Sequence, residues 1–91
     1  MNLDHINIKA PAELMEAEKR FFCEVLGLHE GYRPDFSSKG YWLYSADQPI
    51  VHLSQGEQIL PGEHQGYLDH VAFRTTQLDD LLQRLQAAGI E

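Results

Sequence analysis

Three of the five histidines in this 91-residue chain, His5, His52 and His70, stand in short stretches of alternating character. Imidazole holds first-row metal ions near neutral pH, and two that converge supply half of a typical site. In residues 2–9, NLDHINIK, alternation sends Leu3, His5 and Asn7 to one face of a strand and Asp4, Ile6 and Ile8 to the other. In residues 67–75, Leu68, His70 and Ala72 share one face, and Val71 and Phe73 the opposite one. Between Ile50 and Gln55, His52 shares a face with Ile50 and Ser54, while Val51 and Leu53 suit a helix-packed side.

Two of these stretches are related. Leu3-Asp4-His5 recurs as Leu68-Asp69-His70, 65 residues later, and Ile6, Ile8 and Lys9 are answered by Val71, Phe73 and Arg74. Each copy leads into an amphipathic helix closed by a glycine, Gly27 or Gly89. Agreement in alternation, charge and downstream helix marks two copies of one structural unit. If the copies pair about a pseudo-twofold axis, His5 and His70 face the same cavity, and His52 is placed to line it.

The elements that must position these histidines are short. Pro11 suits the start of a helix, and Leu14, Phe21, Phe22, Val25 and Leu26 recur at helical spacing until Gly27. Three extended stretches follow, Leu28 to about Arg33, Gly40 to Tyr44 and Ile50 to Gln55. They are separated by turn residues Pro34, Asp35, Ser37 and Ser38, then Asp47 and Pro49. Gly56 to Gly66 reads as a loop. A second unit comprises a strand from Tyr67 to Thr75 and a helix from Thr76, its N-cap, to Ala88, with Leu78, Leu81, Leu82 and Leu85 as its buried stripe and Gly89 as its stop. The order is strand, helix, three strands, then strand and helix. The chain ends as though another strand were starting.

Composition restricts the partners. Lys and Arg total 7 against 14 Asp and Glu, a formal charge of −7 that opposes binding to nucleic acid or an anionic membrane. The longest apolar runs are a few residues, too short for a spanning helix, and the N-terminus has no basic cluster, so a cytoplasmic location is expected. The single Cys23 lies in a helical pattern and reads as a packing thiol. His29 and His64 read as solvated.

With these residues in place, the chain resembles the vicinal oxygen chelate superfamily of glyoxalases, bleomycin-resistance proteins and extradiol dioxygenases. The marks are Leu3-Asp4-His5, Phe22 to Leu28 as the aromatic-x-x-x-Leu-Gly-Leu signature, Ile50-Val51-His52-Leu53, and Leu68-Asp69-His70-Val71-Ala72-Phe73. The resemblance implies an α+β fold: one βαβββ module at about residues 1–56, then the first strand and helix of a second, incomplete module at about 67–91. It implies that His5, His52 and His70 hold a divalent metal ion (Zn, Ni, Mn, Fe or Co). The position of His52 is often Glu or Gln in glyoxalase and epimerase relatives, which argues against lactoylglutathione lyase activity. The family's eighth-strand Glu ligand has no counterpart, so the resemblance implies that the chain continues past Glu91 or that a partner chain completes the sheet. The exposed leucine stripe favours continuation.

The implied activity is metal-dependent chemistry on a small oxygen-bearing substrate, by a lyase or isomerase step or by ring-cleaving dioxygenation. The alternatives are a metal-free ligand-sequestering protein of the bleomycin-resistance type and a purely structural dimerisation module. Trp42, Tyr44, Arg33 and Arg74 are the candidate substrate-binding residues, with Tyr41 and Phe36 as further aromatics. Sheet packing is the plain alternative for the aromatic residues, and exposed ion pairing for the arginines. A homodimer is expected.

Overall fold

Alternate isoleucines give the first strand one apolar face. In a computed structural model, which describes residues 1–56 and 70–90, that strand is β1 (Ile6–Ala10); Ile6 and Ile8 are half-buried and Ala10 is buried, while Asn7 and Lys9 are exposed. Pro11 follows in an extended conformation (φ −59°, ψ 157°) and occupies the N-cap of α1 (Ala12–Arg20), where its missing N–H costs nothing. The Pro11 carbonyl accepts the Met15 N–H at 2.9 Å.

The helix then loosens into a π-helical turn, Phe21–Val25, closed by the Leu26 N–H donating to the Phe21 carbonyl at 3.2 Å. The wider turn keeps consecutive apolar residues against the sheet: Phe22 and Val25 are buried, and Phe21, Cys23 and Leu26 half-buried. Gly27, at φ 81°, stops the helix where its sequence pattern places the stop.

Three strands complete the module: β2 (His29–Gly31), β3 (Gly40–Ser45) and β4 (Gln48–Gln55). The sheet order is β1-β4-β3-β2, with β1 parallel to β4 and the other pairs antiparallel. The parallel pair is connected through the helix, as such a pair must be. Met15, Phe22, Leu43, Val51 and Leu53 form the core between helix and sheet. Tyr41 also lies on this side: its hydroxyl donates to Glu16, and Lys19 sits 4.3 Å over its ring and 2.8 Å from Glu30. The opposite sheet face carries no helix among the described residues.

Four sequence expectations change. Leu43 pairs with Val51 but Tyr44 with Pro49, so Ile50 is an extra residue, a bulge. Ile50 therefore packs against the core and does not share the face of His52. β1 is also shorter than its pattern: its ladder begins at Ile6 opposite Val51, which leaves Leu3 to His5 ahead of the strand. Pro49 is tolerated in this central strand because it sits beside the bulge, outside the β1 ladder. Ala46, in the two-residue loop between β3 and β4, takes φ 55°, the twist that tight hairpins need.

The third and fourth differences concern the second unit. Residues 70–75 form no strand ladder with any described residue. Phe73 instead packs edge-on against Phe22, with ring centroids 6.2 Å apart, a side-chain contact that ties the segment to the helical layer. α2 (Leu78–Ala87) has Gln77 at its N-cap, and Thr75 Oγ1 accepts the Gln77 N–H at 3.0 Å; Thr76 is not the cap. The helix ends at Gly89 (φ 77°), and Ile90 N–H closes on the Leu85 carbonyl at 2.9 Å. Leu81 and Leu85 are half-buried, but Leu78 and Leu82 remain exposed, so the leucine stripe is only partly covered. The expected loop at 56–66 and the motif residues Leu68 and Asp69 lie mostly outside the described residues, as does His64. No helix among the described residues is long and apolar enough to cross a membrane.

Leu53 is fully buried where β4 meets the helix. Leu53→Ala should lower unfolding stability by about 2–5 kcal/mol. In urea denaturation this should appear as a lower midpoint with an unchanged slope. A loss below about 0.5 kcal/mol, typical of surface positions, would contradict this location of the core.

Candidate functional site

On the uncovered face, pairing sets Trp42 of β3 directly opposite His52 of β4, and their rings stack with centroids 4.0 Å apart and planes 10° from parallel. On the other side of His52 lies His5, just ahead of β1, with a centroid distance of 3.8 Å and an angle of 13°. Three rings thus run across the sheet in the order Trp42, His52, His5. Phe36 extends the row, 6.3 Å from Trp42, and Arg33 sits 4.8 Å over the Phe36 ring.

Each imidazole has one nitrogen committed. His52 Nε2 lies 3.1 Å from the Pro49 carbonyl, which can only accept, so Nε2 carries the proton and Nδ1 keeps its lone pair when the ring is neutral. His5 Nδ1 lies 2.7 Å from Asp4 Oδ2, so Nδ1–H donates and Nε2 is the remaining nitrogen. Metal-ligating histidines commonly show this arrangement, the outer N–H held by a carboxylate or carbonyl and the inner nitrogen left as donor. The remaining nitrogens of His5 and His52 are thus of the type that binds divalent ions, although in the stacked arrangement they run side by side. The adjacency of Asp4 and His5 comes from the shortened β1, since strict alternation would have sent their side chains to opposite faces.

Burial of His52 between its neighbours pushes its pKa below the ordinary histidine value, and the nearby His5 adds to this. The Pro49 hydrogen bond and Asp4 oppose the shift, and the Arg33 charge contributes to it. His52 is accordingly neutral at pH 7. Cys23, half-buried, has its thiol pushed up chiefly by burial, in keeping with a packing role.

The remaining candidates are distributed unevenly. His70 is exposed, and the residues after it, Val71, Ala72 and Phe73, line a groove together with Leu3, His5, Ile6 and Ile50. Among the described residues no group of three or more His, Cys, Asp or Glu side chains is gathered as a metal site. Arg74 lines a different cleft, with Leu26, Leu28, Phe73 and Arg84. Tyr44 is committed to the β2 edge: its ring lies over Gly31, its hydroxyl donates to the Tyr32 carbonyl at 2.6 Å, and exposed His29 stacks on it at 6.0 Å. Sequence reasoning missed Pro49 and Asp4 as ring anchors. A proline inside a strand pattern was the available signal for the first, since it marks a bulge whose carbonyls are free to accept.

The sequence profile of the Glyoxalase/Bleomycin resistance protein/Dioxygenase superfamily matches residues 2–91. The chain belongs to that superfamily. Among solved structures, a protein from Bacillus anthracis assigned to the glyoxalase family aligns with a TM-score of 0.74 and 26% identity, covering 100% of this chain and 72% of the other. An integron cassette protein from the mobile metagenome of the Halifax Harbour sewage outfall aligns at 0.64 and 20% identity, covering 97% and 71%. The fosfomycin resistance protein FosX from Listeria monocytogenes, solved with Mn(II) and 1S,2S-dihydroxypropylphosphonic acid, aligns at 0.63 and 20% identity, covering 99% and 71%. No curated protein matches the chain. The glyoxalase fold is thus shared across a partial module: a four-stranded sheet with two helices.

His52 has a pH signature. Because its folded pKa is depressed, the unfolded chain of this superfamily member binds more protons once pH falls toward about 6.5, so stability present above that value is lost on acidification. Melting temperature should drop between about pH 7.5 and 5.5, and His52→Gln should flatten that drop. Parallel pH profiles in the two proteins would show that His52 is not held neutral.

Proposed function

We propose that this superfamily member is a metal-dependent enzyme acting on a small oxygen-bearing substrate, by a lyase or isomerase step or by ring-cleaving dioxygenation. One observation carries this reading: His5 and His52 lie side by side on the uncovered face, each with its outer nitrogen anchored and its inner nitrogen left as a donor. A Zn, Ni, Mn, Fe or Co ion held there would act as a Lewis acid on two neighbouring substrate oxygens. His70, which precedes the segment beside His5, is the proposed third ligand. The Mn(II) bound by FosX agrees with this reading.

The protein's own contributions are positional. Asp4 and the Pro49 carbonyl fix the tautomers of the two imidazoles, burial keeps His52 unprotonated, and Trp42 holds the His52 ring in plane. A second reading, a metal-free ligand-binding protein, is favoured by the stack itself. With planes only 13° apart, the in-plane lone pairs of the two imidazoles run side by side and do not converge, so the rings as placed form a continuous aromatic wall.

The two readings separate on a titration. Metal capture must open the His5–His52 stack and thereby disturb Trp42, the sole tryptophan. Adding Mn(II), Zn(II) or Ni(II) to chelator-treated protein should change Trp42 fluorescence saturably. His5→Ala and His52→Ala should weaken binding by at least about tenfold, the lower end of losses seen even for outer-sphere partners, and His70→Ala should weaken it less. No response to any of these ions, or equal affinity in all variants, would favour the metal-free reading.

A further inference from the structure

In a chain with a formal charge of −7, cationic side chains that meet no carboxylate are informative. Lys9 and Arg33 are two such residues: among the described residues neither forms an ion pair, the pairs found being His5 with Asp4 and Lys19 with Glu30. Strand register brings Lys9 to the uncovered face in one row with Ser54 and Gly40, and Arg33 reaches the same row from the segment after β2. Ser54 of β4 pairs with Lys9 of β1 on one side and with Gly40 of β3 on the other.

Arg33 closes the row. Its guanidinium lies against Gly40 so closely that a Cβ there would meet Nη2 at 2.8 Å and Cζ at 2.9 Å. The missing side chain at position 40 lets the guanidinium rest over β3. Phe36 lies beneath it, and Nη1 donates to the Ser38 carbonyl at 3.0 Å. Nε is buried and finds no acceptor among the described residues. The Lys9 stem lies over Gly56 in the same manner, with Cγ at 2.9 Å from where a Cβ would stand. Between the two cations sits the Ser54 hydroxyl, which accepts from Asn7 Nδ2 at 3.3 Å and so keeps its own proton available. Arg33 also stands at the end of the row of rings, over Phe36 and beyond Trp42, that leads to His52.

We infer that Arg33, Lys9 and Ser54 form a subsite for the anionic end, carboxylate, phosphate or phosphonate, of a small ligand. A planar fork, a mobile ammonium and a hydroxyl donor are complementary to a tetrahedral or planar oxyanion. Ser54 lies two residues along β4 from His52, about 7 Å away at strand spacing. A ligand with about six bonds between its charged end and its other oxygens therefore spans both places, at roughly 3.5 Å per three extended bonds. The choice of an oxygenated small acid as substrate rests on the proposed metal role of His5 and His52, whereas the anion subsite itself does not.

The test uses ¹H–¹⁵N spectra of chelator-treated protein, following the Arg33 side-chain Nε–H and the Gly40 and Ser54 amides during titration with inorganic phosphate and, separately, acetate. Saturable shifts are expected with either oxyanion and none with chloride at equal ionic strength. Arg33→Gln should weaken phosphate binding about tenfold or more, Arg33→Lys should fall between, and Lys9→Gln should weaken it about threefold. Lys9 is exposed, so that variant tests the row even if Arg33→Gln perturbs the loop it braces. Shifts with phosphate but not acetate would assign the subsite to phosphate or phosphonate, and the reverse to carboxylate. Absence of any shift, or equal affinity in wild type and both Gln variants, would overturn the subsite. A metal titration of a separate aliquot, read on Trp42, shows whether the histidine reading stands without it.

Discussion

The parallel pairing of β1 with β4 is the constraint on which the rest of the uncovered face depends. It joins residues more than forty positions apart, which requires the helical crossover and its core. Side-chain direction repeats every two residues, so a slip of β1 by one residue would expose Ile6 and Ile8 and turn Asn7 toward the helix. Apolar packing on one side therefore fixes the position of the chemistry on the other. His52 is held where it is because Val51 and Leu53 on either side of it are fully buried.

Across that face the electrostatic character changes with position. At one end, two imidazoles are held with defined tautomers and His52 is kept neutral by burial; at the other, two cations stand without carboxylate partners among the described residues. The neutral His52 ring suits coordination or stacking, and unpaired cations suit an oxyanion. The division follows from strand direction: His5, just ahead of β1, is followed by the outward positions Asn7 and Lys9, and on β4 the outward positions are His52 and Ser54.

Much of this arrangement was legible from residue order alone. The alternation of β1 and β4 located His52 opposite Val51 and Leu53, the apolar spacing located the first helix, and Gly27 and Gly89 marked both helix ends. What alternation could not supply was anything set by a neighbouring element. The bulge at Ile50 depends on how β3 and β4 align and puts Ile50 on the core side, and the start of the β1 ladder, which leaves His5 ahead of it, likewise depends on β4. Residues 70–75 are tied to the helical layer by Phe73 meeting Phe22, a contact with no local signal. Arg74 matches Lys9 in the internal repeat, but the second copy does not reproduce the pairing of the first, so the equivalence did not carry over to position. Tyr44 and Tyr41 read as pocket aromatics until their hydroxyl partners, Tyr32 and Glu16, were known.

The π-helical turn at Phe21–Val25 has a consequence for inheritance. A π turn amounts to an α-helix that has absorbed one more residue than its regular pitch holds, with the surplus confined to a single turn. Because the surplus is absorbed there, removing one residue from this turn would restore regular pitch and leave the helix on either side in nearly the same orientation. A residue removed from the regular stretch Ala12–Arg20 would instead rotate everything beyond it by about 100°. The turn thus separates two stretches of helix that answer to different selective demands: Ala12–Arg20, tied to the crossover, and the segment before Gly27, tied to the sheet edge where α2 docks. A single-residue loss between β1 and β2 is therefore best tolerated within Phe21–Val25, where only the packing of Phe22 and Val25 has to readjust.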